Sequence, residues 1–202
     1  MATEKIYDPD WRDRLSQRWH GIDVEGILPI TAITSPEGAA ASRATFYQPI
    51  PIRFLKLILK RALGTGIVFT NFIDLGCGKG KACFYMAENG QFRRVIGIDM
   101  SSPLLAIARQ NQAQIQTITP IEWIEHDAQT IVLPEGPSLV FLFNPFDDLA
   151  LERFVIGNLD TFRKTGSIIA YAFDLHRNVL AEQGFHTLWR DAKKRISFHT
   201  LT

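Results

Sequence analysis

At 202 residues with 46% apolar side chains, the chain can bury the core of one domain and is too apolar to be disordered throughout. Its 22 Lys and Arg against 21 Asp and Glu leave a formal net charge of +1, which supplies no general field to attract nucleic acid or an anionic membrane. Its two cysteines, Cys77 and Cys83, are too few for a disulfide framework and make a poor zinc site, so no metal is expected.

The opening MATEKIYDPDWRDR is too charged for a signal peptide, and no apolar run approaches membrane-spanning length. A reducing, cytoplasmic setting is expected. WRDRLSQRWHG places Trp11, Leu15 and Trp19 four apart, on one side of a short helix. ILPITAITSPEGAAASR reads as loop. Residues 1–45 are therefore expected to form an extension or a lid, and 46–202 the main domain. From Pro51 the pattern steadies. Phe54, Leu55, Ile58, Leu59 and Ala62 make an apolar stripe while Lys56, Lys60 and Arg61 point away, and Gly64 closes the helix.

Five apolar runs of strand length follow: IVFTNFIDL to Leu75, RVIGID to Asp99, IEWIE to Glu125, SLVFLF to Phe143 and SIIAYAF to Phe173. Most lack clean alternation, as strands buried on both faces of a parallel sheet do. Helical patterns separate most of them: Lys81 to Glu88, a start at Ser102-Pro103, and Asp148 to Lys164 with Asp147 or Asp148 as cap. The last two runs, GFHTLWRD and RISFHTLT, are joined only by AKK, too short for a crossover, so they pair antiparallel. The expected fold is α/β: a doubly wound, mostly parallel seven-stranded sheet with an antiparallel C-terminal hairpin and a helical or loop N-terminal extension.

Ligands of open α/β sheets bind beyond the carboxyl ends of the strands. Gly76, Gly78 and Gly80 sit at such an end in DLGCGKG, where missing Cβ atoms let the backbone approach a ligand and reach positive φ. A tight packed turn with no ligand is the plainer alternative. The spacing fits neither a Walker loop nor G-x-G-x-x-G. Asp74, two residues before the first glycine, suits a ligand that carries a positive group. Asp99 ends the second strand, where a carboxylate can take two ribose hydroxyls or instead cap the next helix. Asp127 lies at the third strand tip.

DLGCGKG, VIGIDMS, the HDA tripeptide and FLFNPF, in this order, resemble the class I, seven-stranded methyltransferases that use S-adenosylmethionine; the likeness runs from about Phe46 to Thr202. It implies that S-adenosylmethionine is the cofactor, with the backbone of Gly76, Cys77, Gly78 and Gly80 around its methionine part and Asp74 near its ammonium. Asp99 would hold the ribose. Asp127 would accept from the adenine amino group, with the Ala128 N–H near a ring nitrogen and Met100 on the adenine face; core filling is the other reading of Met100.

FLFNPF is similar to a shortened Asn-Pro-Pro-aromatic motif of nitrogen methyltransferases. Pro145 biases Asn144 toward extended backbone, so that Asn144 would accept a target N–H and Phe146 would form an aromatic wall. An Asx turn is the bland alternative for Asn144. Tyr47, just before the first steady helix, would close the site or simply seal the core edge. His126, beside Asp127, is either a catalytic group or a loop histidine, and His176 could line the rim. The resemblance thus implies methyl transfer to an amine or protein side chain. A small-molecule oxygen or nitrogen acceptor and a non-catalytic adenosyl-binding scaffold are the alternatives. An ordered lid would favour the small molecule; an open trough beside Asn144 would favour a macromolecule. Nucleic acid lacks an aromatic-basic platform here, no membrane partner is expected, and the acceptor and oligomeric state stay open.

Overall fold

The computed structural model describes residues 21–29 and 47–201. The expected helix around Trp11, Leu15 and Trp19, Phe46 and most of the expected loop lie outside the described residues.

Helix α1 (Ile52–Leu63) buries the expected stripe, including Leu55 and Ile58, and stops at Gly64. Strand β1 (Asn71–Leu75) follows, then α2 (Lys81–Asn89), β2 (Arg94–Asp99), α3 (Ser102–Gln112), β3 (Ile121–Glu125) and β4 (Ser138–Phe143). The chain finishes with α4 (Asp148–Thr165), β5 (Ile168–Ala172), α5 (Arg177–Glu182), β6 (His186–Asp191) and β7 (Ile196–Thr200). The seven strands form one sheet in the order β3-β2-β1-β4-β5-β7-β6. Strands β1 to β5 pair in parallel, and β7 runs antiparallel to both β5 and β6. The strand order reverses between β1 and β4, which makes that boundary the switch point where open α/β sheets hold ligands.

Every residue of β1 and β5 is buried, because apolar side chains pack on both sheet faces. Phe72, Phe84, Leu55 and Met86 belong to the cluster under α1 and α2. Ile73, Phe154, Phe162 and Tyr171 belong to the opposite cluster under α4. Asp147 caps α4, its carboxylate accepting the Ala150 N–H. One short helix, α5, goes beyond the sequence expectation: it buries only Leu180, too little for a readable period.

The crossover from β3 to β4 contains no helix. It is held instead by Asn158 of α4, buried at 1% exposure. Its Oδ1 accepts the Leu133 N–H at 2.8 Å and its Nδ2 donates to the Ile131 carbonyl at 2.9 Å. This fastening fixes the loop that carries Asp127. Among the described residues, no helix is long and apolar enough to cross a membrane.

Candidate active site

Beyond Leu75 the β1–β2 ladder continues into the glycine turn, where the Gly76 and Cys77 N–H groups both donate to the Ile98 carbonyl, at 2.8 and 3.0 Å. Gly76, Gly78 and Gly80 have φ of 76°, 53° and 84°, a left-handed region that side chains disfavour. Their missing Cβ atoms make room for protein. A methyl on Gly76 would lie 2.4 Å from Pro145 Cβ, and one on Gly78 2.3 Å from a Tyr47 ring carbon. One on Gly80 would lie 2.4 Å from Trp123. Tyr47, Pro145 and Trp123 pack against the three glycines, so close side-chain packing also requires the missing Cβ atoms. Gly78→Ala is expected to cost about 2–4 kcal/mol, combining left-handed strain with the clash on Tyr47. Urea unfolding of the variant measures that cost.

The acidic residues hang from neighbouring strand tips. Asp99 spans two elements: Oδ2 accepts the Gly78 N–H at 2.8 Å and Oδ1 the Ser101 N–H at 2.8 Å. Ser101, rather than Asp99, caps α3 by accepting the Leu104 N–H. Burial raises the Asp99 carboxyl, opposed by hydrogen bonds from the Ser101, Gly78 and Met100 backbone. Asp74 is 3% exposed, and its Oδ2 accepts the Cys83 thiol at 3.5 Å. Burial pushes its carboxyl up to about 7; the thiol bond opposes this and the Asp99 charge adds to it. Among the described residues no cation pairs with Asp74.

The third strand tip joins the same end of the sheet through the His126 N–H, which donates to the Asp99 carbonyl at 3.0 Å. Asp127 is partly buried. Its Oδ1 accepts the Gln129 N–H at 2.9 Å, and Gln129 Nε2 reaches both carboxylate oxygens, at 3.2 and 3.1 Å. Met100 is half-buried, and Ala128 packs against the α4-side cluster. His126 is exposed, its ring Nδ1 2.8 Å from the Asp127 carbonyl oxygen.

The fourth strand tip departs from expectation. Asn144 has φ 45°, not the extended backbone expected before Pro145, and is 9% exposed. Its Oδ1 accepts the Tyr171 hydroxyl at 2.9 Å. Phe146, expected as an aromatic wall, lies instead in the cluster under α4, at 8% exposure. The physical reason is shared: the left-handed turn at Asn144 carries Pro145 over Gly76 and leaves Phe146 to the apolar interior.

Tyr47 lies over the glycine turn. Its hydroxyl donates to the Val24 carbonyl at 2.8 Å, and its backbone exchanges two 3.0 Å hydrogen bonds with Leu28. Residues 21–29 and 47–50 thus form a strap across the turn. Sequence reasoning missed what fastens it. Lys79 Nζ meets Asp23 Oδ1 at 2.6 Å and the Glu25 carbonyl at 2.9 Å; Lys81 Nζ meets Glu25 Oε1 at 2.7 Å. Both lysines are buried. Asn111 of α3 clamps Asp23 through its N–H and its carbonyl, at 2.9 and 2.8 Å. The available signal was the pair of alternate lysines in GKGK facing the alternate acids in DVE. The two stretches stand too far apart in sequence to be matched by spacing.

Residues 72–155 match the family model described as "Methyltransferase domain". The chain is 34% identical over 103 residues to malonyl-[acyl-carrier protein] O-methyltransferase of Salmonella typhimurium, covering 50% of this chain and 39% of that protein. It is 27% identical over 128 residues to the probable S-adenosylmethionine-dependent methyltransferase CRG1 of Saccharomyces cerevisiae, covering 62% of this chain and 42% of that one. The chain therefore spans about two fifths of the length of these two relatives. Among solved structures, magnesium protoporphyrin IX methyltransferase from Synechocystis with bound S-adenosylmethionine has a TM-score of 0.56 at 13% identity, covering 84% of this chain and 86% of that one. The N-methyltransferase NodS of Bradyrhizobium japonicum has a TM-score of 0.51 at 12% identity, covering 75% and 96%. This chain has the class I, Rossmann-like fold of S-adenosylmethionine-dependent methyltransferases, and the residues that match the family model run from β1 through the glycine turn into α4.

The residues present fit that cofactor. A buried carboxyl with no cation beside it among the described residues stands at the turn, and a second joins two strand tips, its oxygens each accepting one backbone N–H. Both suit a ligand with a cationic end and a diol.

Proposed function

We propose that this domain is an S-adenosylmethionine-dependent methyltransferase whose acceptor is an oxygen or nitrogen atom of a small molecule. The observation that carries the reading is Asp99, whose carboxylate ties the glycine turn after β1 to the start of α3 after β2 and whose carbonyl accepts the His126 N–H at the tip of β3. Between these strand tips Asp99 would take the ribose hydroxyls, Asp74 would face the cationic end, and Asp127 would face the adenine. Met100 and the Ala128 N–H would line the adenine side, with the backbone of Gly76, Cys77, Gly78 and Gly80 along the amino-acid side. When bound, the cofactor supplies a methyl group already activated on a sulfonium, so the chain's own task is alignment and exclusion of water.

The small-molecule reading draws on two features. The strap covers the glycine turn and Tyr47 seals it, which narrows access. Asn144, the residue that would receive an amine, already has its acceptor oxygen engaged by Tyr171, and Phe146 is turned into the core. Transfer to a protein side chain, which FLFNPF suggested, would need that oxygen and that ring displayed. The resemblance to an O-methyltransferase over half the chain leaves oxygen as eligible as nitrogen.

The test is incubation with methyl-labelled cofactor and two acceptor pools, a low-mass filtrate of cell extract and the dialysed protein fraction. Label entering compounds of the filtrate is expected. Label confined to protein would overturn the small-molecule acceptor, and no label in either pool would count against transfer itself.

A further inference from the structure

Among the described residues, the carboxylate of Asp127 is held by one neighbour. Gln129 donates to Oδ1 through its backbone N–H at 2.9 Å, and its side-chain Nε2 stands 3.2 Å from Oδ1 and 3.1 Å from Oδ2. At the other end of the same amide, Gln129 Oε1 accepts Nη1 of Arg153, on α4, at 3.0 Å. A guanidinium only donates and an ionised carboxylate only accepts, so an amide between them has a single orientation that satisfies both ends. Its oxygen faces Arg153 and its NH2 faces Asp127.

Anchoring the loop does not account for this arrangement. Asn158 already fastens Ile131 and Leu133, and the Thr130 N–H donates to the Asp127 carbonyl at 3.1 Å. Gln129 is nonetheless only 8% exposed, and a buried amide is costly unless its polar atoms are engaged. It is committed to a carboxylate that itself stays partly open to solvent. Oδ1 of that carboxylate accepts two of the Gln129 contacts and Oδ2 one, while a carboxylate oxygen offers about two lone-pair sites. The second site on Oδ2 is where an N–H from a ligand fits, with Gln129 holding the group against rotation.

We infer that Gln129, braced by Arg153, is the positioning residue that presents Asp127 Oδ2 to the exocyclic amino group of the adenine, and that this pair sets a preference for adenine over a base with a carbonyl in that place. The inference rests on the reading that Asp127 faces the adenine. Gln129 and Arg153 act through Asp127 and do not themselves touch the base. A carboxylate pinned as an acceptor favours an amino group and repels a carbonyl oxygen, so it discriminates in both directions. A carboxylate free to turn toward solvent does neither.

Titration calorimetry with S-adenosylhomocysteine and S-inosylhomocysteine, which carries a carbonyl where adenine has its amino group, reads that preference as a ratio of affinities. Wild type is expected to favour S-adenosylhomocysteine. Gln129→Leu should shrink the ratio about tenfold, the size of one hydrogen bond to a charged group. Arg153→Leu, at an exposed position of α4, should shrink it about threefold by freeing the amide to reverse. Arg153→Lys keeps a donor-only cation there and should restore most of the ratio. The two Arg153 variants decide the matter should Gln129→Leu fail to fold. A purely structural role would lower both affinities together; a wild-type ratio in the folded variants would therefore overturn the inference and leave Asp127 at the adenine. A wild-type chain that bound the two ligands equally would overturn the role of Asp127 and the inference with it.

Discussion

Asp99→Ala is expected to weaken binding of S-adenosylhomocysteine by one to two orders of magnitude and to loosen the glycine turn even without ligand. The carboxylate accepts from Gly78 and Ser101, at 2.8 Å each, so its removal strands two backbone donors from separate elements. A hydrogen bond to a charged group contributes about 1.5–3 kcal/mol, and the ribose hydroxyls would lose the same partner. Asp99→Asn removes the charge while keeping the shape, and should still be damaging. One amide end can accept from a single N–H, whereas its NH2 end would face the other donor. Calorimetry reads the affinity and thermal unfolding the loosening. An Asp99→Ala protein with wild-type affinity would remove Asp99 from the site.

The second large effect concerns Asp74 and pH. Its carboxyl is raised from the ordinary 3.8 to about 7 in the fold, chiefly by burial. Between those two values the unfolded chain has released a proton that the folded chain keeps, so stability falls as pH rises across that window. Above it the whole penalty is present, on the order of 4 kcal/mol at about 1.36 kcal/mol per unit. Asp74→Asn should therefore match wild type near pH 4 and exceed its stability at pH 8, in urea unfolding without ligand. A cationic ligand favours the ionised carboxylate, so wild-type affinity should strengthen as pH rises toward 7 and then level off. The Asn variant should bind more weakly at pH 8 with a flatter profile. Equal stability of the two proteins at pH 8 would show that Asp74 carries no buried charge there.

Much of the frame was legible because it rests on local rules. Buried parallel strands read as apolar runs, and the three-residue link between β6 and β7 left no choice but an antiparallel pair. The strand tips at Asp74, Asp99 and Asp127 followed from where those runs end. What could not be read depends on contacts between distant segments. Nothing in GKGK shows that its lysines would be buried under Asp23 and Glu25, since lysine beside a glycine turn is ordinarily solvated. The misplacement of Asn144 has a similar origin. Pro145 disfavours helical backbone before it, but the close approach of Pro145 to Gly76 and the waiting hydroxyl of Tyr171 select a left-handed residue there. Phe146 then follows the turn inward. The glycines were correctly marked as special, and side chains of this chain pack against them.

Amide hydrogen exchange with and without saturating S-adenosylhomocysteine tests the convergence of the strand tips most directly. Slowed exchange is expected together at the glycine turn (76–80), at the end of β2 (99–101) and in the loop after β3 (127–129), three segments distant in sequence. Protection at none of them, or at one alone, would contradict a single adenosyl site held between Asp74, Asp99 and Asp127.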